Sequence, residues 1–377
     1  MKLYLKLGLG VIIFLALIFV FSSYNFSTEQ ESLNDQVYVF PPFSEVYNTR
    51  PIKFNPENID NSFEKYFFDK KLRKKLFNSA NMMVEPDKNP EVRVIQEIDK
   101  GKYIEQKISL IINPSTIAYA YLLIPKNVSN PAPLILAMHP HGGFYEYGKD
   151  WVAGNKGTSD GFYGKELAER GYIVFAMDAP LFGDRTLGNL KNENSPETLE
   201  NFGSQSLINL KHSLLGETLR EDISVLNLIF SLETIDKENI GCIGYSFGGV
   251  RCMYLAALDE RIKAVVLSNS VGNIRRDYSD GILQSWFTVL PGVAEYTEMS
   301  GIITLISPRP LMILSSDKDP IFPLNEAEEQ VKIINLIYKR LGKENLFKFI
   351  IEKNEAHTFP KEYREEAYEF FDKFLKK

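Results

Sequence analysis

The stretch IGCIGYSFGGVRCMYLAAL, from Ile240 to Leu258, decides the fold that we expect for this chain. A strand-like apolar run ends at Tyr245, and a helix-like run begins after Ser246. Between them lies the pattern G-x-S-x-G, from Gly244 to Gly248, which is typical of a nucleophile elbow. Small residues let the strand and the helix cross closely, and the turn lifts the hydroxyl clear of the backbone. The pattern therefore predicts Ser246 as a nucleophile.

A serine hydroxyl needs a base that takes its proton, and the base needs an acid that orients it. The chain has four histidines, of which His139, His141 and His212 precede the serine. His357 lies in NEAHTFP, between the last strand-like run and the last helix-like run. Where an elbow of this kind is used, the serine, the acid and the histidine follow one another in that order along the chain. This order predicts His357 as the base.

The acid is expected in the loop after a strand that lies between the serine and the histidine. The segment PLMILSSDKDPIFP offers Asp317 and Asp319. Asp319 directly precedes the turn Pro-Ile-Phe-Pro, so we predict Asp319 as the acid and Asp317 as the alternative.

The segment ILAMHPHGGFYEYG, after the first long apolar strand, predicts part of an oxyanion hole. The backbone N–H of His141 is the preferred donor and that of Gly142 the second choice, with the N–H of Phe247 on the other side. His139 and His141 also suggest a metal site. Because no third ligand lies nearby in the sequence, we predict neither a metal nor any other cofactor.

From residue 133 onward, apolar strand-like runs alternate with helix-like runs. This order predicts a mostly parallel sheet with helices on both faces. We assign residues 101–377 to one catalytic domain and residues 26–100 to an N-terminal extension, in which Ser62–Phe77 is predicted as an amphipathic helix. Residues 269–307 interrupt the alternation and are predicted as a cap insert, with Trp286 and Phe287 in the substrate pocket.

Charge and cysteine content limit the possible partners. The net charge is −6, the pI is about 5.5, and no block of basic residues marks a nucleic-acid surface. The short run KKLRKK, Lys70–Lys75, is interpreted as a solvated helix face. Cys242 and Cys252 are too few for a disulfide framework and are predicted to be buried free thiols.

The N-terminus predicts export. Lys2 and Lys6 precede an uncharged run whose most apolar part is Leu7–Phe21. Residues 1–25 are therefore predicted as a signal peptide or a signal anchor, with membrane anchoring through residues 7–21 if the segment is retained. Acidic residues follow the segment, which places the body outside the cytoplasm: periplasmic, secreted or held on the outer face of a membrane.

The chain resembles the α/β-hydrolase superfamily, and within it the dienelactone-hydrolase and acetyl-xylan-esterase-like branch. The resemblance lies in HPHGGF, KELAERGYIVFAMDAPLFGDR, SLLGETLREDISVLNLI, IGCIGYSFGGVRCMYLAALDERIKAVVLS, SPRPLMILSSDKDPIFP and EAHTFP, spread over Leu134 to Pro360. It implies an α/β-hydrolase fold with Ser246 as nucleophile, His357 as base and Asp319 as acid. Pro140 stands where the related H-G-x-G loop has glycine, and residues 269–307 match none of the family's motifs.

These observations predict a cofactor-free serine carboxylesterase that cleaves short-chain esters, acetyl esters above all, on a small molecule or a carbohydrate. Two alternatives stay open. A prolyl-oligopeptidase-like peptidase shares the catalytic fold but usually carries a propeller domain, which the residues before the core are too few to build. A binding protein on a hydrolase scaffold is the other alternative, and the intact set of serine, acid and histidine argues against it.

Overall fold

A computed structural model describes residues 51–82, 90–126, 128, 130–186, 195–279, 282 and 284–376. The predicted signal segment, residues 1–25, lies outside these ranges, and so does the candidate anchor at residues 7–21. Among the helices that are described, none is long and apolar enough to cross a bilayer.

The described residues form a nine-stranded sheet in the order β1-β2-β3-β5-β4-β6-β7-β8-β9. The strands are β1 Glu91–Asp99, β2 Tyr103–Asn113, β3 Thr116–Pro125, β4 Ala132–Met138, β5 Ile173–Met177, β6 Ile235–Tyr245, β7 Ala264–Ser268, β8 Leu311–Ser316 and β9 Phe347–Glu352. The pairs β1–β2, β2–β3 and β3–β5 are antiparallel, and the remaining pairs are parallel. The prediction of a mostly parallel sheet is confirmed.

Helices cover both faces of this sheet. They are α1 Ser62–Ser79, α2 Lys149–Val152, α3 Tyr163–Glu169, α4 Pro196–Asn209, α5 Leu214–Ile229, α6 Phe247–Leu258, α7 Ile274–Ser279, α8 Met299–Thr304, α9 Leu324–Arg340 and α10 Lys361–Leu375. In β4, Leu134 and Leu136 belong to the apolar cluster on one face, whereas Ile135 and Ala137 belong to the cluster on the other. This alternation explains why the strand is a continuous apolar run. The order of the strands and the helices on both faces confirm the predicted α/β-hydrolase fold.

Part of the segment predicted as an N-terminal extension packs into this core. Asn61 caps α1 by accepting from the N–H groups of Phe63 and Glu64. Leu72 and Leu76 lie one turn apart on the helix and have no exposed surface. The helix is therefore held by its apolar side, and the sheet already begins with β1, ahead of residue 101.

The insert at residues 269–307 is built from short helices. It contains α7, α8 and the single 3₁₀ turns Trp286–Thr288 and Val293–Glu295. Long segments of this kind are expected to carry local structure of their own. The insert follows the carboxyl end of β7, the strand next to β6, so it begins at the edge of the sheet where Ser246 lies.

The prediction of free thiols is wrong, because Cys242 and Cys252 form a disulfide. Cys242 lies in β6 and Cys252 in α6, and their Cα atoms are 5.9 Å apart. The elbow folds the helix back onto the strand, which brings two side chains ten residues apart into bonding distance. Both are fully buried, as predicted. The sequence signal that was missed is that the two cysteines stand on either side of the elbow.

We expect this disulfide to stabilise the elbow region. Replacing Cys242 and Cys252 by alanine should lower the free energy of unfolding by about 2–3 kcal/mol, since the bond closes a short loop in the unfolded chain. Urea unfolding with and without a reductant measures the effect. The wild-type protein should lose stability on reduction and the double variant should not; equal sensitivity of the two would contradict a disulfide here.

Candidate active site

A strained turn carries the serine. β6 ends at Tyr245 and α6 begins at Phe247, and Ser246 between them has φ 58° and ψ −126°. This positive φ is uncommon for a residue with a side chain and is found mostly where the surrounding structure enforces it. A Cβ on Gly244 would lie 2.1 Å from the carbonyl of Gly248, and one on Gly248 would lie 2.0 Å from the carbonyl oxygen of Met138. Both glycines are therefore required by the crossing.

The structure brings the three predicted residues into one hydrogen-bonded chain. The Nε2 atom of His357 lies 2.8 Å from the Oγ of Ser246, and its Nδ1 lies 2.7 Å from the Oδ2 of Asp319. The other carboxylate oxygen of Asp319 accepts from the N–H groups of Ile321 and Phe322, at 2.8 and 3.0 Å. The carboxylate is thus fixed on one side by the backbone, and the other side is free to orient the imidazole.

The alternative acid, Asp317, does not reach the histidine. Its backbone N–H donates to the carbonyl oxygen of Glu352 at 3.0 Å, which ties the loop after β8 to the end of β9. One oxygen of its own carboxyl is buried and has no hydrogen-bond partner among the described residues. The geometry therefore places Asp319, and not Asp317, beside His357.

A buried polar network that we did not predict lies behind this chain. The Oδ1 of Asn269 accepts from the N–H of Ser316 at 2.7 Å, and its Nδ2 lies 2.5 Å from the carbonyl oxygen of Thr358. The Nδ2 also lies 3.1 Å from a carboxyl oxygen of Glu352, which accepts from the hydroxyl of Ser316 as well. Asn269 thus connects the strand ends that lead to Asp319 and His357.

Burial raises the pKa of Glu352 to about 7, against the hydrogen bonds from Ser316 and Asn269, which lower it. The carboxyl therefore takes up a proton near neutral pH. The available sequence signal was weak: Asn269 and Glu352 are single polar residues at the ends of strand-like runs.

The three backbone N–H groups predicted for the oxyanion hole are not engaged by other residues that the structure describes. The N–H groups of His141, Gly142 and Phe247 have no acceptor within the described parts of the chain. Phe247 opens α6, so its N–H points out of the first turn, where the helix dipole also favours negative charge. These are the three groups that the sequence predicted for the oxyanion hole.

The side chains of the two histidines in HPHGG are already occupied. The Nδ1 of His141 accepts from the N–H of Gly143 at 3.1 Å, so its Nε2 carries the proton and lies 2.9 Å from Glu200. His139 is fully buried and bridges Pro140 and the N–H of Ala179. Burial lowers the pKa of His139 to about 3, with a smaller contribution from the charge of Arg251. Both rings therefore hold the loop in place.

Glu200 is a second feature of this site that the sequence did not predict. It lies on α4, is 5% exposed, and accepts from both His141 and Tyr145 through one oxygen. The other oxygen accepts from the hydroxyl of Ser285 and the N–H of Trp286, each at 2.8 Å. Burial raises its pKa, but the hydrogen bonds that it accepts from His141, Tyr145 and Ser285 outweigh burial, and the net pKa is lowered. One carboxylate therefore connects α4, the insert and the loop at residues 139–143, which we call the oxyanion loop after its predicted role.

The two predicted pocket residues lie beside this carboxylate. Phe287 has no exposed surface and packs its ring against Phe247 at 5.1 Å and against His141 at 6.1 Å, measured between centroids. Trp286 is partly exposed, and its indole N–H donates to Asn201 at 2.7 Å. Phe287 is thus a wall behind the oxyanion loop, whereas Trp286 borders the surface.

The arrangement has the parts that acyl transfer requires. A hydroxyl, a base and an orienting carboxylate lie together at the carboxyl ends of β6, β8 and β9, and N–H groups without an acceptor among the described residues follow the carboxyl ends of β4 and β6. Among the described residues, no group of three or more His, Cys, Asp or Glu side chains is arranged to hold a metal ion.

We expect Glu200 to control the position of the oxyanion loop. Glu200→Gln replaces one of two acceptor oxygens by a donor that faces two other donors, so it should disturb the loop almost as much as Glu200→Ala does. Ester turnover should fall about tenfold to a hundredfold, mainly in kcat, because a small misplacement of the donors weakens transition-state binding. Steady-state kinetics with a p-nitrophenyl ester provides the measurement.

Glu197→Gln is the matched control, since Glu197 is exposed on the same helix one turn earlier. It should leave both kcat and KM unchanged. Wild-type kinetics for Glu200→Gln would show that the loop keeps its position without the carboxylate.

Comparisons with known proteins agree with this fold. Residues 44–331 match the model of a family described as the Abhydrolase family. The chain is 28% identical over 310 residues to "Putative hydrolase YtaP" of Bacillus subtilis (strain 168), covering 80% of this chain and 98% of that protein. A solved structure described as a putative acetyl xylan esterase from Bacteroides fragilis superposes with a TM-score of 0.69 at 19% identity, covering 83% of this chain and 81% of that one. A glucuronoyl esterase from Solibacter usitatus superposes with a TM-score of 0.58 at 13% identity, covering 83% and 93%.

Proposed function

Because the chain belongs to the Abhydrolase family, we propose that it is a serine carboxylesterase with Ser246, His357 and Asp319 as its catalytic triad. The observation that carries this proposal is the continuous hydrogen-bonded chain from Ser246 Oγ through His357 to Asp319. A serine beside a base becomes nucleophilic when the base can take its proton and a carboxylate stabilises the imidazolium that results.

The reaction runs in two halves. As the Oγ of Ser246 attacks the ester carbonyl carbon, its proton passes to the Nε2 of His357. The N–H groups of Phe247 and His141 bind the oxyanion of the tetrahedral intermediate. Its collapse breaks the bond to the alcohol, which takes the proton from His357 and leaves an acyl-serine. Water then attacks the acyl carbon and gives a proton to His357, and the second collapse returns that proton to Ser246 and releases the carboxylic acid.

The substrate that we propose is a short-chain ester, acetyl above all, carried by a carbohydrate. Support comes from the two solved structures with this fold, which are named for acetyl xylan and glucuronoyl esters. Phe287 also fits, because its buried ring fills space beside the oxyanion loop that a long acyl chain would otherwise need. A propeller-bearing peptidase is less favoured: α1 packs into the hydrolase core, and β1 to β3 extend its sheet.

We propose that the protein acts outside the cytoplasm. The disulfide between Cys242 and Cys252 supports this location, since such bonds are rare in reducing compartments. The apolar run Leu7–Phe21 after two lysines supports it independently. Fractionation of cells that express the full chain is the direct test, and an active, fully reduced cytoplasmic pool would contradict it.

The triad is tested by three substitutions. Ser246→Ala should reduce kcat by at least about 10⁴-fold without loss of fold, because only a hydroxyl is removed. His357→Ala should cost nearly as much, and the double variant should be hardly worse than either, since the residues act as a unit. Active-site labelling by a fluorophosphonate should disappear in Ser246→Ala.

Asp317 provides the internal control for the acid. Asp319→Asn should lower kcat by about 10⁴-fold, through loss of imidazolium stabilisation and of the correct tautomer. Asp317→Asn should have a mild effect. Retained ester hydrolysis in purified Ser246→Ala would rule out the mechanism, whereas exchanged results for the two aspartates would rule out only the choice of acid.

The acyl preference is tested with p-nitrophenyl esters of increasing chain length. We expect kcat/KM to be highest for acetyl or propionyl esters and to fall sharply by octanoyl, because an overfilled pocket forces strain on its walls. Among the shortest chains the preference should be modest, about 1–3 kcal/mol per methylene. Trp286→Ala should widen this range or selectively weaken acetylated oligosaccharides as substrates, and an optimum at octanoyl or longer would exclude the carbohydrate assignment.

A further inference from the structure

The outward face of α1 is aromatic. Phe63, Tyr66 and Phe67 are 71%, 59% and 43% exposed. Their rings touch one another, at 4.9 Å between Phe63 and Phe67 and 5.4 Å between Tyr66 and Phe67. The opposite side of the helix is buried in the core, so the helix is packed and the exposure of these rings is not explained by a helix that fails to pack. Three adjoining exposed aromatic side chains form an apolar patch that calls for a partner.

The same face continues into positive charge. Lys70 and Lys74 follow Phe63 and Phe67 at helical spacing, and Lys71 and Lys75 flank them. All four lysines are exposed, and within the described ranges none forms an ion pair. We call this surface, made of Phe63, Tyr66, Phe67 and these four lysines, the aromatic-lysine face.

A cavity of about 520 Å³ opens beside the aromatic-lysine face, because Ser62 and Tyr66 line it. Its walls carry four cationic and two acidic side chains: Lys65, Arg73, Lys263, Arg309, Asp69 and Glu260. Lys65 pairs with Asp69 and Arg73 with Glu260, so the excess of positive charge on these walls comes from Lys263 and Arg309. Positive charge next to exposed aromatic rings favours a partner with both an apolar part and an anionic group.

We propose that the aromatic-lysine face docks on an anionic phospholipid surface. Helices that lie on membranes place aromatic side chains at the acyl boundary and lysines against anionic headgroups. The apolar run Leu7–Phe21, if it is retained as the predicted anchor, would give the chain a bilayer to bind. The proposal concerns a surface outside the triad and does not depend on the esterase function.

Two other occupants fit the face less well. Phe63 and Phe67 meet at 73° and Tyr66 and Phe67 at 82°, so the rings form no flat platform on which a sugar could stack. A second copy of the chain would bring like-charged lysine rows together, which is unfavourable. An anionic bilayer offers negatively charged headgroups to the lysines and an apolar interior to the aromatic rings.

Docking through α1 would keep the triad away from the lipid. Arg73 of α1 donates to the carbonyl oxygens of Ala257, at 2.9 Å, and Leu305, at 3.1 Å. Ala257 lies in the last turn of α6, whereas Ser246 immediately precedes its first residue. A helix of 12 residues is about 18 Å long, so the membrane contact and the serine lie at opposite ends of α6.

The test uses the full chain with one added thiol. The chain's two native cysteines are bonded to each other, so a cysteine in place of Phe67 can be labelled alone with an environment-sensitive fluorophore. Phe202→Cys is the matched control, because Phe202 is 69% exposed on α4. Each labelled protein is mixed with brominated vesicles of phosphatidylcholine, alone or with about 30% phosphatidylglycerol.

We expect the label at position 67 to be quenched by vesicles that contain phosphatidylglycerol and the label at position 202 not to be. Adding Lys70→Glu and Lys74→Glu should reduce the ratio of membrane-bound to free protein by at least about 30-fold, because each lysine near an anionic surface contributes about a factor of five and each new glutamate is repelled by that surface. Lys332→Glu with Lys339→Glu, two exposed positions on α9, should change nothing. Ester turnover should be unaffected in every variant, which shows that the fold is intact.

Equal quenching at positions 67 and 202 would overturn the proposal, and so would quenching that is insensitive to the charge reversal. A response of the position-67 label to protein concentration without lipid would assign the face to a second copy instead. A response to soluble xylan without lipid would assign it to a polysaccharide, and either result would also overturn the membrane proposal.

Discussion

The close crossing of β6 and α6 at Ser246 is the constraint on which the rest of the site depends. Gly244 and Gly248 leave no room for a Cβ, and the serine accepts a backbone conformation that few side chains adopt. Such a turn persists only when its surroundings enforce it. In this protein the burial of β6 and α6 and the disulfide between Cys242 and Cys252 hold the turn in this conformation. The packing of this region therefore fixes the position of the Ser246 hydroxyl.

The elements that sequence reasoning found are those with strong local patterns. The elbow, the buried parallel strands and the order of serine, acid and histidine are properties of short segments, and the structure brings Ser246, Asp319 and His357 together as that order suggested.

What was missed depends on distant contacts. Glu200 is an ordinary helix residue in the sequence and acquires its importance only where α4 meets the oxyanion loop and the insert. Asn269 and Glu352 likewise meet only through the order of strands in the sheet. The disulfide was misjudged for a different reason. Counting cysteines says nothing of their distance, whereas the turn between strand and helix brings them together.

The four hydrogen bonds of Glu200 have a consequence for substrate entry. A hinged lid must break and re-form its contacts with the rest of the protein at a low cost in free energy. Moving residues 285 and 286 away would remove two hydrogen-bond donors from the buried carboxylate of Glu200. Hydrogen bonds to a charged group are worth about 1.5–3 kcal/mol each. The insert is therefore better described as a fixed rim than as a gate. A rim of this kind exists before the substrate arrives, so binding does not have to order it first.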